Sequence, residues 1–461
     1  MALPNDLSLF YQIYFAEEID TQIVAQAFEA LNSIVDARPV GIHFATSTPN
    51  DPFYVDQWHL DQASNNIDID ALEAWDIKTG DDAPIVAVMD AGVRYYHKDL
   101  GGANASYADP SRTDGNMWIN MVEKNGVDGV DDDSNGFVDD WVGYDFVASS
   151  SFLIHPSEDG STADNGPRDF HGHGTHCAGN IGALNNNGYG VCAATGGWGN
   201  GTLQSSGNGV KIMALRVGYD TRLGGLVSMA AAAESFNYAT LNGATIASCS
   251  WGSSDTGGLG AAVDNFIAAG GLVFHAAGND DSDSPDYLDN RGDCISVAST
   301  DQNDAKSSFS NFGTWVDISA PGTDILSLVE NSDDPENDYV ASMGGTSMAT
   351  PIAASVAALI WSKHPEWTAA QVKQRLYDSA DDIDGTLDPA DIGKMGAGRV
   401  NAFNAVNDNP IAVKLSSFQA FPVSENKVKI IWETASEMNT AGFYVQRKLN
   451  MHSSYERISS S

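Results

Sequence analysis

Three short segments of this 461-residue chain hold the groups that acyl transfer at neutral pH requires. "VAVMDAGV" contains Asp90, "HGHGTHCAG" contains His173 and "GGTSMATP" contains Ser347. A serine hydroxyl becomes a competent nucleophile when an imidazole lies within hydrogen-bond reach and a carboxylate holds that imidazole in the right tautomer. Ser347 stands ahead of "IAASVAALIWSKH", which is apolar almost all round and reads as a buried helix. The start of such a helix adds free N–H groups and a positive dipole end beside a developing oxyanion. Asn279, at the end of the apolar run closing in "AAGN", is suited to donate its amide to the same oxyanion. Taken singly these residues are ordinary, since an Asp after a strand often forms a turn and a Ser before a helix is often an N-cap. Together they specify a nucleophile, a base, an orienting acid and an oxyanion donor.

A second chemistry is spelled by "NGVDGVDDDSNGFVDDWVGYDF", residues Asn125 to Phe146. Asp131, Asp133 and Asn135 alternate ahead of Gly136, and Asp139 follows, as in loops that wrap a calcium ion; Phe137 falls where such loops offer a backbone carbonyl. The twelfth position is Val142 rather than Glu, so the final ligand must come from elsewhere, Asp140 or Asp128. Seven Asp between Asp128 and Asp145 would repel one another without a cation, though a solvated acidic loop is the plainer alternative. His171, His173 and His176 mimic a zinc cluster, but no Asp, Glu or Cys partner stands at the spacing such a site needs.

These side chains need a scaffold. "APIVAVMD", "VKIMALRV", "GATIASCS", "GGLVFHAAGN" and "CISVAS" read as buried strands, with Val227 to Thr240 and Gly260 to Ala269 as crossover helices. Strands alternating with helices imply an α/β fold with a mostly parallel sheet covered on both faces, whose ligand site lies beyond the carboxyl ends of the strands. Asp90, Ser250 and Asn279 end such runs. Residues 8 to 45 read separately as strand, helix, strand, and after "NDNP" (Asn407 to Pro410) the pattern changes to short strands.

The chain carries 62 acidic and 23 basic residues, a net charge of −39, which excludes nucleic acid and anionic membrane as partners by repulsion. No apolar run is long enough for a membrane span. Four cysteines, Cys177, Cys192, Cys249 and Cys294, are compatible with two bridges or four thiols.

The motifs, in the chain order Asp, His, Ser, resemble those of the subtilisin-like serine proteases, the subtilases. "NDPFYVDQWHL" looks like the entrance of their catalytic domain, and "HPEWTAAQVKQRL" with "GAGRVNAFNAV" like its closing helices. The resemblance implies a subtilisin-like three-layer α/β fold over residues 46–409, a propeptide-like remnant over 1–45 that acts as an intramolecular inhibitor, and the start of a truncated C-terminal β-sandwich module over 410–461. It further implies a secreted serine endopeptidase acting on protein or peptide substrates as a monomer, with Asp90 as orienting acid, His173 as base, Ser347 as nucleophile and Asn279 as oxyanion donor. By the same resemblance Ser250, Trp251, Gly252, Ala277 and Gly278 wall the substrate pocket, which prefers a large apolar residue before the scissile bond. Asp51, Asp99 and Asn187, with the carbonyls of Leu184 and Val191, match a calcium site of thermitase-like members. Two rivals are a calcium-dependent adhesion protein on an inactive protease fold and an esterase; no Gly-x-Ser-x-Gly elbow surrounds Ser347 to favour the latter.

Overall fold

The computed structural model describes residues 48–408, apart from positions 63, 82–83, 110–111, 149–153, 155–157, 159–161, 222–223, 332–333 and 335, and the backbone of four strands beyond. The unit expected over residues 1–45 lies outside the described residues.

Strands β1 (Ile85–Asp90), β2 (Gly143–Asp145) and β3 (Lys211–Arg216) are followed by the small β4 (Gly218–Tyr219) and β5 (Leu226–Val227). Then come β6 (Ile246–Cys249), β7 (Leu272–Ala276), β8 (Ile295–Thr300), β9 (Ile318–Pro321), β10 (Ile325–Val329) and β11 (Tyr339–Met343). Seven of these form one sheet in the order β2-β3-β1-β6-β7-β8-β9, with every pairing parallel. The order reverses at β1, between β3 and β6, so the crevice where a doubly wound sheet binds its ligand opens at the carboxyl end of β1. That end is Asp90.

Five longer helices cover the sheet: α1 (His173–Gly182), α2 (Met229–Leu241), α3 (Leu259–Ala268), α4 (Thr346–Lys363) and α5 (Ala369–Asp378). Because side chains alternate across a strand, β1 feeds two cores at once. Val86 and Val88 pack with Ala178 and Ile181 of α1 and Ile352 and Val356 of α4. Ala87 and Met89 pack with Phe236 of α2 and Val263 of α3. The result is the three-layer arrangement expected. Local signals agree with it: Ser228 accepts from Ala231 N–H at the start of α2, and Thr368 and Gln371 form a capping box on α5.

Five of the seven sheet strands coincide with the apolar runs read from the sequence. The other two escape that reading because β2 has three residues and β9 ends in Pro321, so neither offers a periodic pattern. All four cysteines are free and buried, which resolves the choice in favour of thiols. Beyond the catalytic region, β12 (Lys414–Ser424) pairs antiparallel with β13 (Lys427–Ser436), and β14 (Gln446–Arg447) with β15 (Glu456–Arg457).

Candidate active site

The carboxyl end of β1 and the start of α1 bring the first pair together. Asp90 Oδ1 lies 2.8 Å from His173 Nδ1. A carboxylate only accepts, so Nδ1–H is the donor, which fixes the tautomer and leaves Nε2 for a second partner. Two features of the sequence allow this approach. Gly174 packs so closely on the strand end that a Cβ there would overlap the Gly92 carbonyl and crowd Asp90 Cβ. Buried Asp169 ties down the helix start, with Oδ1 accepting from His171 and Gly172 N–H at 2.8 Å each and Oδ2 from Thr175 N–H at 2.9 Å and its hydroxyl at 2.6 Å. Asp169 was missed in the sequence; its signal is an acid four residues ahead of the helix, where the cap position itself is Gly172. Burial works against the charged form of His173, but the adjacent Asp90 carboxylate outweighs it and holds the imidazole well above its ordinary value.

Ser347 is the second residue of α4. Pro351, four residues on, has no N–H, so the Ser347 carbonyl loses its helical partner. Two side chains replace it: Ser250 Oγ donates to Ser347 O at 2.9 Å, and Cys177 Sγ lies 3.4 Å from the same oxygen. In return Ser347 Oγ donates to Ser250 O at 3.3 Å. The proline therefore turns the serine's own carbonyl outward, to be gripped by the neighbouring strand end and by α1. Asn279 is oriented equally firmly. Its Oδ1 accepts from Thr346 N–H at 2.9 Å and from the Thr346 hydroxyl at 3.0 Å, which leaves its amide N–H₂ as the free end. Gly278 N–H donates to Thr346 Oγ1 at 3.1 Å, locking the segment to the residue before the serine.

A cleft of about 410 Å³ is lined by Asp90, His173, Ser250, Trp251 and Gly252 together with His171, Gly218, Leu226 and Val227. Trp251 is anchored by its indole N–H on Met89 O at 2.6 Å. Ala277 O accepts from Asn311 Nδ2 at 2.8 Å. The β4–β5 lip was not legible in the sequence, because a two-residue hairpin shows no alternation. His171 is an exposed rim residue, whereas His176 is buried with Nε2 3.0 Å from Ile325 O, so the three histidines do not converge. In the segment after Asn279, Asp281 is paired with Lys306 at 2.6 Å and Asp283 accepts from Trp315 Nε1–H at 3.0 Å.

Two clusters of oxygen ligands are brought together. In the first, Asp131 accepts from Asn135 and Gly136 N–H, while Asn135 Nδ2 donates to Asp133 at 3.1 Å and to Asp140 at 2.9 Å. Asp140 is buried beneath Tyr238, whose hydroxyl donates to it at 2.6 Å, and its carboxyl is pushed up to about 6, chiefly by burial. Phe137 turns its ring into an aromatic group with Tyr144 and Tyr238. Asp140, one of the two acids offered for the final ligand, stands with Asp133 and with Glu123 from outside the loop, whose Oε1 accepts from Asp132 and Asp133 N–H. Asp139 Oδ1 is buried without a partner, an acceptor suited to a cation. In the second cluster, Asp51 accepts from Asn186 and Asn187 N–H at 2.6 and 3.2 Å. Asp99 accepts from Asn187 Nδ2 at 2.7 Å and Val191 N–H at 2.8 Å, and Leu184 N–H binds the Asp99 carbonyl at 2.9 Å. Burial raises the carboxyls of both Asp51 and Asp99, the strain that a hard cation would relieve.

The sheet order, the helices and this cleft define an α/β hydrolytic scaffold, and comparison with known proteins specifies it. The subtilase family model matches residues 81–404, and the chain belongs to that family: it is a subtilisin-like serine protease. Thermitase of Thermoactinomyces vulgaris is 34% identical over 361 residues, covering 78% of this chain and 99% of thermitase. A thermophilic serine proteinase of a Bacillus species is 31% identical over 377 residues, 81% of this chain and 73% of that protein. Among solved structures, a protease of Pseudoalteromonas arctica superposes with a TM-score of 0.58 at 25% identity, over 78% of this chain and 99% of that one.

Proposed function

We propose that this subtilase is a secreted, calcium-stabilised serine endopeptidase in which Ser347 is the nucleophile, His173 the general base, Asp90 its orienting acid and Asn279 the oxyanion donor. The observation that carries this reading is the 2.8 Å contact between His173 Nδ1 and Asp90, made in the cleft that Ser250 ties to the backbone of Ser347. Ser347 Oγ attacks the scissile carbonyl as His173 Nε2 takes its proton; the Asn279 amide and the N–H groups of the first turn of α4 receive the charge that gathers on the carbonyl oxygen. The proton then passes to the leaving amine, and water activated by His173 releases the acyl group.

Calcium would be held by Asp131, Asp133, Asn135, Phe137, Asp139 and Asp140, joined by Glu123, and separately by Asp51, Asp99, Leu184, Asn187 and Val191. It would neutralise carboxylates that the fold buries, and it takes no part in the bond-making steps. Residues 1–45 act as a propeptide-like inhibitor, and residues 410–461 begin a C-terminal module; the catalytic unit works as a monomer. Ser250, Trp251, Gly252, Ala277 and Gly278 wall a pocket for a large apolar residue before the scissile bond.

The test is incubation with a fluorophosphonate beside Ser347→Ala, with N-terminal mass spectrometry. Labelling of the wild type alone, with a cut near residues 44 to 50, is expected. Failure of the folded wild type to label would hand the fold to the adhesion reading.

A further inference from the structure

A second buried histidine lies behind the pocket wall and is not used by the reaction. His275, on β7, is fully buried, with Nδ1 3.0 Å from Asp289 Oδ1 and Nε2 3.5 Å from Asp286 Oδ2. Asp286 is tied to the residue that follows Gly252 of the cleft lining, accepting from Ser253 N–H at 2.6 Å and from its hydroxyl at 2.5 Å. Its side chain keeps 27% of its surface exposed, so this carboxylate faces both the buried imidazole and solvent. The ring of Trp251 meets His275 edge-on at 6.0 Å, and Ala277 and Gly278 follow two and three residues after it. One His–Asp pair thus joins the two segments proposed to wall the pocket.

The two ring nitrogens face different carboxylates, Nδ1 toward Asp289 and Nε2 toward Asp286. A neutral ring fits poorly. With Nδ1–H given to Asp289, Nε2 would turn a lone pair toward Asp286, and no hydrogen-bond partner satisfies Nε2. The imidazolium instead donates from Nδ1 to Asp289 and turns a positive Nε2–H toward Asp286 across the 3.5 Å of an ion pair. The other groups around the ring carry no compensating cation: Cys249 lies in register on β6, Ser296 on β8 donates to Asp289 at 2.8 Å, and Asp317, which feels Lys373, lies one step further out.

Resting on the protease reading and deepening it, we propose that His275 and Asp286 form a charge-compensated element of the substrate wall. With the proton on His275, the wall is electrically quiet and takes an apolar side chain; without it, Asp286 becomes a subsite for a cationic side chain before the scissile bond. Burial disfavours the charged ring, but the hydrogen bond it donates to Asp289 and the charge of Asp286 raise its affinity for the proton. A histidine raised above its ordinary value keeps its proton to higher pH than a free imidazole and loses it as pH climbs through the folded-state value.

The test measures kcat and KM on paired peptides with Arg or Phe before the scissile bond, across pH. His173 affects both peptides alike, so its titration cancels in their ratio. We expect the Arg/Phe ratio of kcat/KM to rise with pH in the wild type, and His275→Gln to raise it about tenfold on the acid side of that rise, through KM. Asp286→Asn should abolish the pH dependence, and the double variant His275→Gln/Asp286→Asn should restore the apolar preference. Fluorophosphonate labelling, which does not read the pocket charge, should stay within about threefold in each variant. An unchanged ratio in His275→Gln, or labelling that falls in step with both peptides, would overturn the proposal. Should His275→Gln not fold, imidazole NMR of the inactive Ser347→Ala chain decides: a doubly protonated His275 ring on the acid side of the rise supports the inference and a neutral ring there ends it. Absent labelling of the wild type would instead strike at the nucleophile and leave the NMR result to judge the pair.

Discussion

Asn279 and His173 carry the sharpest consequences at the scale of single residues. With its oxygen held by Thr346, Asn279 has only N–H groups to offer the cleft. Asn279→Ala should lower kcat by about 10²–10³ with little change in KM, a magnitude of about 3 to 4 kcal/mol first set for such a donor in a subtilisin. Steady-state kinetics on one peptide checks it. His173 must be neutral to act as base, and Asp90 raises its proton affinity. The acid limb of kcat/KM should therefore fall above the ordinary imidazole value of 6.5, with activity rising as pH climbs. The stability term runs the other way: the His173–Asp90 pair contributes fully below the unfolded value and fades as pH rises through the folded one. A pH–rate profile and a pH series of melting curves would separate the two. Asp90, His173, Asn279 and Ser347 were all legible in the sequence, since each sits in a short motif whose neighbours are small. Asp169 and Asp286 were not, because each acts on a segment reached only through folding.

The elements α1 and α4 explain why those motifs contain the residues they do. Gly174 lets α1 touch the end of β1, and any side chain there meets the Gly92 carbonyl. Gly174→Ala should force the helix outward, lengthen the His173–Asp90 contact and cost about 2 to 4 kcal/mol, as overpacking of backbone against backbone does. Chemical denaturation measures the stability loss, and the accompanying fall in kcat should exceed that of a surface Gly→Ala control. Pro351 plays the complementary part in α4 by freeing the carbonyl that Ser250 and Cys177 hold. The helix itself was readable from its unbroken apolar run. The role of its proline was not, because the missing bond has meaning only once Ser250 is seen to replace it.

The whole molecule is dominated by its charge of −39, spread over 62 acidic and 23 basic residues. Several acids are nevertheless buried: Glu123 and Asp140 beside Asp133, and Asp51 with Asp99. A chelator should destabilise the chain by about 2.7 kcal/mol for a site held at a hundred times its dissociation constant, seen as a melting temperature lower by about 5 °C or more. Glu123→Gln should remove part of that response and Asp99→Asn another part, since the two clusters share no residue. Raising salt should stabilise the chelated protein more than the calcium-loaded one, because screening acts on the remaining self-repulsion.

The sequence by itself determined the class of fold, the motifs that hold the proposed catalytic side chains and the composition of the acidic loop. Each of these is local: an apolar run, a motif of fewer than ten residues, an alternation of oxygen donors around a glycine. Only the tertiary structure decided which distant groups complete them. Glu123 enters the acidic loop's cluster from a preceding helical turn, and Pro351 has its missing partner supplied by Ser250, 101 positions earlier in the chain. His275 finds Asp286 and Asp289, and Asp286 in turn is held by Ser253, next in the chain to Gly252. These pairings follow from the parallel order of β1, β6 and β7, which places the ends of remote segments side by side, and no spacing along the chain encodes that adjacency.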